Sequence, residues 1–293
     1  MVLRGPVHAP AAARCVLPIL IAGLAGACGA AAPPPPEPFA SGIVSLDYCA
    51  DQYVLGLADR EHILALSPDA GKDFSYLRDD AEGLPAVRPR AEDVLALQPD
   101  LVVRSYGGGP RAAAFFERAG VPVLQIDFAP DIEAVRDRIR QAAAVLGVPE
   151  RGEALIADMD ARLEQARAAA PEADTLYLAP SGVAAGSGTF VDHLIAAAGL
   201  GNFSDEIGWR SIPLERLAYE TPDSYAVPGF DKTNHNVVWT PFRHPVAVRR
   251  VQAGPTIPID GATTSCGAWF LADAVEALAA GAATPRTPGR VAR

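Results

Sequence analysis

Two cysteines in the body of the chain, Cys49 and Cys266, have the widest choice of chemistry. Three readings stand for them, in this order: a buried or cleft-lining thiol, a disulfide, and a thiolate metal ligand. Thiolate ligation recruits further Cys or His at short spacing, and neither cysteine has such a neighbour. A disulfide needs the two backbones within about 7 Å of each other, which spacing alone does not reveal. The histidines do not cluster. His62 falls in an apolar run, His193 follows Asp192 in a helical stretch, and His235 and His244 lie in a loop-rich segment. A zinc or manganese site needs several convergent ligands, so no resident metal is expected. Ser181-Gly182 and Ser187-Gly188 lack the G-x-S-x-G elbow of a nucleophilic serine. Gly107-Gly108-Gly109 lacks both the Lys-Ser/Thr of a phosphate-binding loop and the spacing of a dinucleotide fingerprint. It reads as a flexible turn that lets backbone approach a ligand. With no catalytic constellation and no cofactor motif, a binding function is the better reading than an enzyme.

Short apolar runs alternating with helical stretches must position these residues. Ile43–Leu46, His62–Leu66, Leu101–Arg104 and Val121–Ile126 read as strands, and Cys49–Ala58 reads as a helix with Asp47 available as its cap. Residues 67–90 form a loop rich in Asp, Gly and Pro, and loops of that length are functional or mobile. A short helix spans Ala91–Leu97, and another follows the glycines as far as Ala119. Strands alternating with helices argue for mostly parallel sheets covered on both faces. The rhythm breaks at residues 131–170. Apolar residues there keep helical spacing, with one interruption at Gly147-Val148-Pro149. The stretch is too long for an ordinary crossover and reads as a connecting backbone helix. Beyond Pro171 the alternation resumes, with strands at Thr175–Ala179, Ser224–Val227 and Pro255–Ile259. Helices are expected at Thr189–Ala198, Leu214–Glu220, Phe242–Val251 and Gly267–Ala280. The fold class is thus α/β: two similar lobes with mostly parallel sheets joined by a long backbone helix. The lobes are 42–130 and 171–283, with a polar tail over 284–293.

The N-terminal segment stands apart. Arg4 and Arg14 precede the apolar run Cys15–Leu24, followed by Ala25-Gly26-Ala27 and Cys28. A basic region, a short apolar core and an A-x-A site describe a secretory signal peptide over 1–27. Its apolar run is shorter than the roughly 20 residues of a membrane span. Cys28 also fits a lipoprotein box, in which it would be lipidated and tether the chain to a membrane; Ala25 stands where that box carries a large aliphatic residue. The linker 28–41 is proline-rich, and proline makes it an extended spacer. Export would permit a disulfide. The chain carries a formal charge of −10, with 35 acidic against 25 basic residues, which argues against nucleic acid as a partner.

Two segments echo each other. Ala91–Val103 reads AEDVLALQPDLVV and Leu214–Val227 reads LERLAYETPDSYAV. Each carries a glutamate, a short apolar-patterned helix, a Pro-Asp stop and a strand. With IVSLDYCADQYVLGL and the lobe-joining helix, these stretches resemble the helical-backbone class of ABC-importer binding proteins. That class includes the periplasmic cobalamin-binding and ferric-siderophore-binding proteins. The resemblance covers residues 42 to about 280 and is looser over Asp223–Pro245. It implies a monomeric periplasmic protein that holds a small-molecule metal chelate between its lobes and closes little. It also implies docking on a permease through one carboxylate per lobe, here Glu92 and Glu215. A carboxylate accepts a bidentate bond from arginine, which fixes orientation as well as adding energy. A scavenging or sensory lipoprotein of the same fold, or a chelatase of similar architecture, is the alternative.

In parallel lobes, ligands meet the loops beyond the C-terminal strand ends. That rule nominates Tyr48 and Cys49 after the first strand, Ser67–Lys72 after the second, and Ser105 and Tyr106 after the third. In the second lobe it nominates Pro180–Ser187, with Ser181 as ligand contact, and Thr263–Trp269, with Cys266 and Trp269. Trp209 stands six residues before Glu215, the spacing at which the cobalamin-binding relative has a cleft tryptophan. Its indole offers a flat surface to a macrocycle or aromatic chelate. Arg78, Arg88, Arg90, Arg104 and Arg210 could neutralise a ferric catecholate, whereas a corrinoid suits a more aromatic, neutral pocket. For haem, no His or Tyr axial ligand can be assigned from sequence.

Overall fold

The computed structural model describes residues 41–179, 181–229 and 244–283. The leader, Cys28, the spacer as far as residue 40, Pro180, His235 and the tail 284–293 lie outside the described residues. In the first lobe, β1 (Ile43–Ser45), β2 (Ile63–Ala65), β3 (Leu101–Arg104) and β4 (Val123–Gln125) form one sheet in the order β2-β1-β3-β4, every pair parallel. The runs of Ile, Leu and Val in β1 and β3 are buried along their whole length, as a parallel sheet covered on both faces requires. The covering helices are α1 (Tyr48–Leu57), α2 (Ala91–Leu95) and α3 (Ala112–Arg118). Extended backbone at Asp47 lets its side chain accept from the Ala50 N–H, which starts α1 where the sequence places it.

Residues 131–170 are not one rod. They form α4 (Ile132–Val145) and α5 (Pro149–Ala169). Gly147 between them takes φ of 75° and its N–H bonds to the Ala144 carbonyl, so the chain turns back. Arg136 pairs with Asp160 and Arg140 with Glu153, so α4 and α5 run antiparallel. Gly152 lets them approach, because a Cβ there would stand 2.5 Å from that of Ala143. α5 is the long helix between the lobes. Near its start Arg151 donates to the Leu57 carbonyl at the end of α1, and near its end Arg167 packs against Gly199 of the second lobe.

The second lobe runs β5 (Asp174–Tyr177), β6 (Val183–Ala185), α6 (Phe190–Ala197), β7 (Gly201–Asn202), β8 (Trp209–Ser211), α7 (Leu214–Tyr219), β9 (Ser224–Gly229), α8 (Pro245–Ala253), β10 (Thr256–Asp260), α9 (Ala262–Ser265) and α10 (Leu271–Ala282). Its parallel sheet has the order β10-β9-β5-β7. Counted within the lobe, that is the same second-first-third-fourth arrangement as in the first lobe. The sequence echo is therefore geometric: α2 leads into one third strand, β3, and α7 into the other, β9. β6 and β8 form a separate antiparallel pair that the strand pattern does not announce. No described helix is long and apolar enough to cross a membrane.

One apolar core runs through both lobes, from Ile43, Val54 and Leu57 through Ile139 and Met159 to Leu271 and Val275, and each lobe has a smaller one of its own. Trp269 packs into the notch at Gly56 of α1, where any Cβ would overlap the indole. Tyr76 stacks on Phe270 with centroids 4.2 Å apart, and its hydroxyl donates to Asp273 at 2.6 Å. Arg162 of α5 pairs with Asp273 and Glu276 of α10. The long loop of the first lobe is thus fastened to the last helix.

Candidate functional site: the cleft between the lobes

On the first-lobe wall, Asp47 caps α1 with one oxygen and fastens the next loop with the other. Oδ1 accepts from Ala50 N at 3.0 Å, and Oδ2 accepts from the N–H groups of Ser105, Tyr106 and Gly107 at 2.7, 3.0 and 2.8 Å. Three successive N–H groups make an anion-binding concavity, and here the chain's own carboxylate fills it. Arg104 donates to the carbonyls of Gly107 and Gly109 and to Gln125, whose amide donates to the Ser105 carbonyl. Residues 105–109 are therefore a fixed turn, which corrects the expectation of a flexible one. Gly107 is required by the close approach of its backbone to the Leu46 carbonyl. Tyr106 stands 54% exposed on this platform, edge-on to Tyr48. Behind them lies Asp51, whose carboxylate accepts from the Ser67 N–H and hydroxyl at 3.0 and 2.6 Å. Burial pushes its carboxyl up to about 6, against the opposing pull of those hydrogen bonds.

On the second-lobe wall, β5 does not end in a strand-to-helix loop. It turns through Ser181 and Gly182 and returns as β6, with Leu178 bridged to Ala184. The loop that opens on the cleft comes one hairpin later, at residues 186–189. It is tied to the segment before β8 by Gly186 N–H to Gly208 O and Ser187 N–H to Glu206 O. Thr189 caps α6 through the Asp192 N–H. This pairing carries Trp209, 48% exposed, with its ring edge-on to Tyr177 at 6.1 Å. Burial pushes the Tyr177 phenol up to about 12.

The floor joins the two walls. Cys49 at the start of α1 and Cys266 just after α9 form a disulfide, with Cα atoms 5.6 Å apart. The free-thiol reading is thereby corrected: chain topology, invisible in spacing, brings the two loops together. Closing a 217-residue separation is worth about 5 kcal/mol in the chain-entropy account of cross-linking. Beside it the Tyr48 hydroxyl donates to Ser265 O at 3.4 Å and the Tyr53 hydroxyl to Gly267 O at 2.6 Å.

The cavity so enclosed measures about 570 Å³. Of the residues nominated by name from sequence, Tyr48, Cys49, Ser105, Tyr106, Trp209 and Cys266 line it together. Ser181 does not, since its hairpin turn lies outside the lining residues. Trp269 does not either, because its ring is used in the seam against Gly56 and Tyr53. Ser67–Lys72 also stay out of the lining. The sequence reading missed Phe128, 78% exposed, in the loop after β4. The strand-end rule would have found it if applied to the fourth strand as to the first three. It also missed Phe190 and Val191 at the start of α6. Desolvation on the cleft wall and then the Asp47 carboxylate push the phenols of Tyr48 and Tyr106 above their ordinary range. Both are neutral at neutral pH. Among the described residues no Lys or Arg lines the cavity. Arg104 is committed to the turn behind it, and Arg210 borders a separate hollow of about 540 Å³ beside Glu215. No group of three His, Cys, Asp or Glu among the described residues is placed to hold a bare metal ion.

Glu92 and Glu215 are exposed in the first turns of α2 and α7. Among the described residues neither is engaged in an ion pair.

Residues 43–230 match the family described as periplasmic binding protein. No curated protein matches the sequence. Among solved structures, a periplasmic haem-binding protein from Pseudomonas aeruginosa is 25% identical with a TM-score of 0.64, over 82% of this chain and 91% of that one. The periplasmic haem-binding protein RhuT from Roseiflexus is 27% identical with a TM-score of 0.59, over 83% and 99%. The periplasmic vitamin B12-binding protein BtuF of Vibrio cholerae shares the fold at 20% identity, with a TM-score of 0.55 over 82% and 95%.

Proposed function

The chain belongs to the periplasmic binding protein family, and from that premise we propose that it is the solute-binding component of an ABC importer for a metal tetrapyrrole, haem first. One observation carries the choice of ligand. The cleft is walled by Tyr48, Tyr106, Phe128, Phe190 and Trp209, with no cationic side chain among the described lining residues. Aromatic faces on both lobes suit a flat ring system. A ferric catecholate carries several negative charges and would meet no compensating cation among the described lining residues, which moves the ferric siderophore to last place. Phenolic oxygen is a known axial donor to haem iron; Tyr48 and Tyr106 both line the cavity, and the Tyr48 hydroxyl also reaches Ser265 O. Binding through phenolate requires the phenol to lose its proton, so affinity through that donor rises with pH. The likeness at 25 and 27% identity to proteins described as haem-binding points the same way. A corrinoid is the second reading, favoured by the placement of Trp209 ahead of Glu215.

An absorbance titration with ferric haem tests the reading, run on the wild type, Tyr48→Phe and Tyr106→Phe. Saturable binding is expected, with one of the two variants weakened at least tenfold and its Soret band shifted. Saturable binding of cobalamin in place of haem would establish the corrinoid reading, and binding of neither would overturn both. Glu92 and Glu215 serve as the permease anchors in this proposal, one per lobe in equivalent places. Reversing both charges to lysine should abolish uptake while leaving ligand affinity unchanged; normal uptake would remove the docking assignment. The protein works in the periplasm as a monomer, with residues 1–27 as its signal peptide and Cys28 as its candidate lipid tether.

A further inference from the structure

We propose that the Cys49–Cys266 disulfide sets the width of the cleft, making these two residues determinants of which ligand the cleft accepts. It is the one covalent link across the lobes, apart from the chain itself, among the described residues. Both cysteines line the cavity, and each adjoins a residue that does: Tyr48 on one side, Ser265 and Gly267 on the other. The outer seam is held separately, by Trp269 at Gly56 and by Tyr76 against Phe270 and Asp273. Those contacts sit away from the cavity and keep the lobes associated without fixing its floor. At the floor the non-covalent ties are the Tyr53 bond to Gly267, the longer Tyr48 bond to Ser265, and the packing of Gly267 against Ala129 and Val135. With the bridge closed, the walls can part only by tilting about a point where two Cα atoms stay 5.6 Å apart. The rim bearing Phe128 and Trp209 can move, but the floor cannot. A floor fixed before binding lowers the ordering cost that ligand capture would otherwise carry. Its loss should appear chiefly as faster dissociation.

Cys266 is only 7% exposed and Cys49 is half-buried, so access to the bridge runs through the cavity. A dithiol such as dithiothreitol supplies two electrons and two protons, leaving two cysteine thiols and closing into its own cyclic disulfide. A ligand in the cavity should make the bridge harder to reduce at equilibrium, and by reciprocity the reduced protein should hold the ligand more weakly. The inference rests on the cleft being the ligand site, whichever chelate it takes.

The test compares the wild type with the double variant Cys49→Ser, Cys266→Ser. Without ligand, amide hydrogen exchange over residues 45–50 and 262–268 should be at least tenfold faster in the variant, while exchange around Tyr76 and Asp273 stays unchanged. With ferric haem, affinity should fall at least fivefold, mostly through the dissociation rate. Reduced wild type should behave like the variant and recover on reoxidation with oxidised glutathione, which separates the bridge from any damage done by serine. Unchanged exchange at the floor would overturn the inference, as would a haem affinity indifferent to reduction. A wild type that binds no haem but shows the exchange difference would sink the ligand assignment and leave the clamp standing.

Discussion

The two lobes share a strand order and differ in what they bury. In the first lobe the buried polar side chains include Asp47, Asp51, Gln52 and Arg104. In the second, among the described residues, they are hydroxyls alone: Thr175, Thr189, Ser204, Ser224 and Thr263. The first lobe fastens its cleft loop by charge, with one carboxylate under three N–H groups and one guanidinium under two carbonyls. The second fastens its loop by backbone pairing beside β6 and β8, and Asp192, which is not fully buried, accepts from the Gly188 N–H at 2.9 Å. A common topology decides where the loops emerge, but each lobe has its own means of holding them. The first also buries a carboxyl, Asp51, that should make it respond to pH.

Removing Asp47 gives the largest expected effect. Asp47→Ala orphans four backbone N–H groups at about 1 kcal/mol each, so about 4 kcal/mol should be lost in denaturant unfolding. A loss under about 1 kcal/mol would mean that the loop is held from elsewhere. The pH contrast comes next. A carboxyl raised to about 6 in the folded state binds its proton more tightly folded than unfolded. Its contribution is complete below pH 4 and declines as pH rises through 6, by up to about 3 kcal/mol. Asp51→Asn should flatten that slope in melts recorded between pH 4 and 7, and a slope that survives would assign it to another group. The smallest effect is the most specific. Trp209→Ala should leave stability within about 1 kcal/mol of wild type and weaken ligand binding at least tenfold, about 1.4 kcal/mol. Unchanged affinity would remove the indole from the pocket.

Much of this was legible in the residues. Alternating apolar runs announced two parallel sheets, and the Glu-helix-Pro-Asp echo correctly paired α2 with α7. Asp47 could be read as a cap because capping is local. Its second task, under residues 105–107, could not, because it spans more than fifty positions. The same limit hid the disulfide and drew Trp269 into the cleft on paper, whereas its ring is taken by a glycine notch on the other lobe. Gly147 and Pro149 announced an interruption, but reversal rather than a kink depends on Ala143 facing Gly152. Ser181 failed because the strand-end rule assumes that a helix follows the strand, and β5 is followed by a hairpin.

The seam joins the two ends of the described chain. Tyr48, Cys49 and Tyr53 meet Ser265, Cys266 and Gly267 across sequence separations of 214 to 217 residues. Contacts so distant in sequence carry the loop-closure cost before they bring any return, and they slow folding. In a chain that emerges N-terminus first, Cys49 waits unpaired until nearly everything else has arrived. The last quarter of the protein thus decides when the first helix is finished.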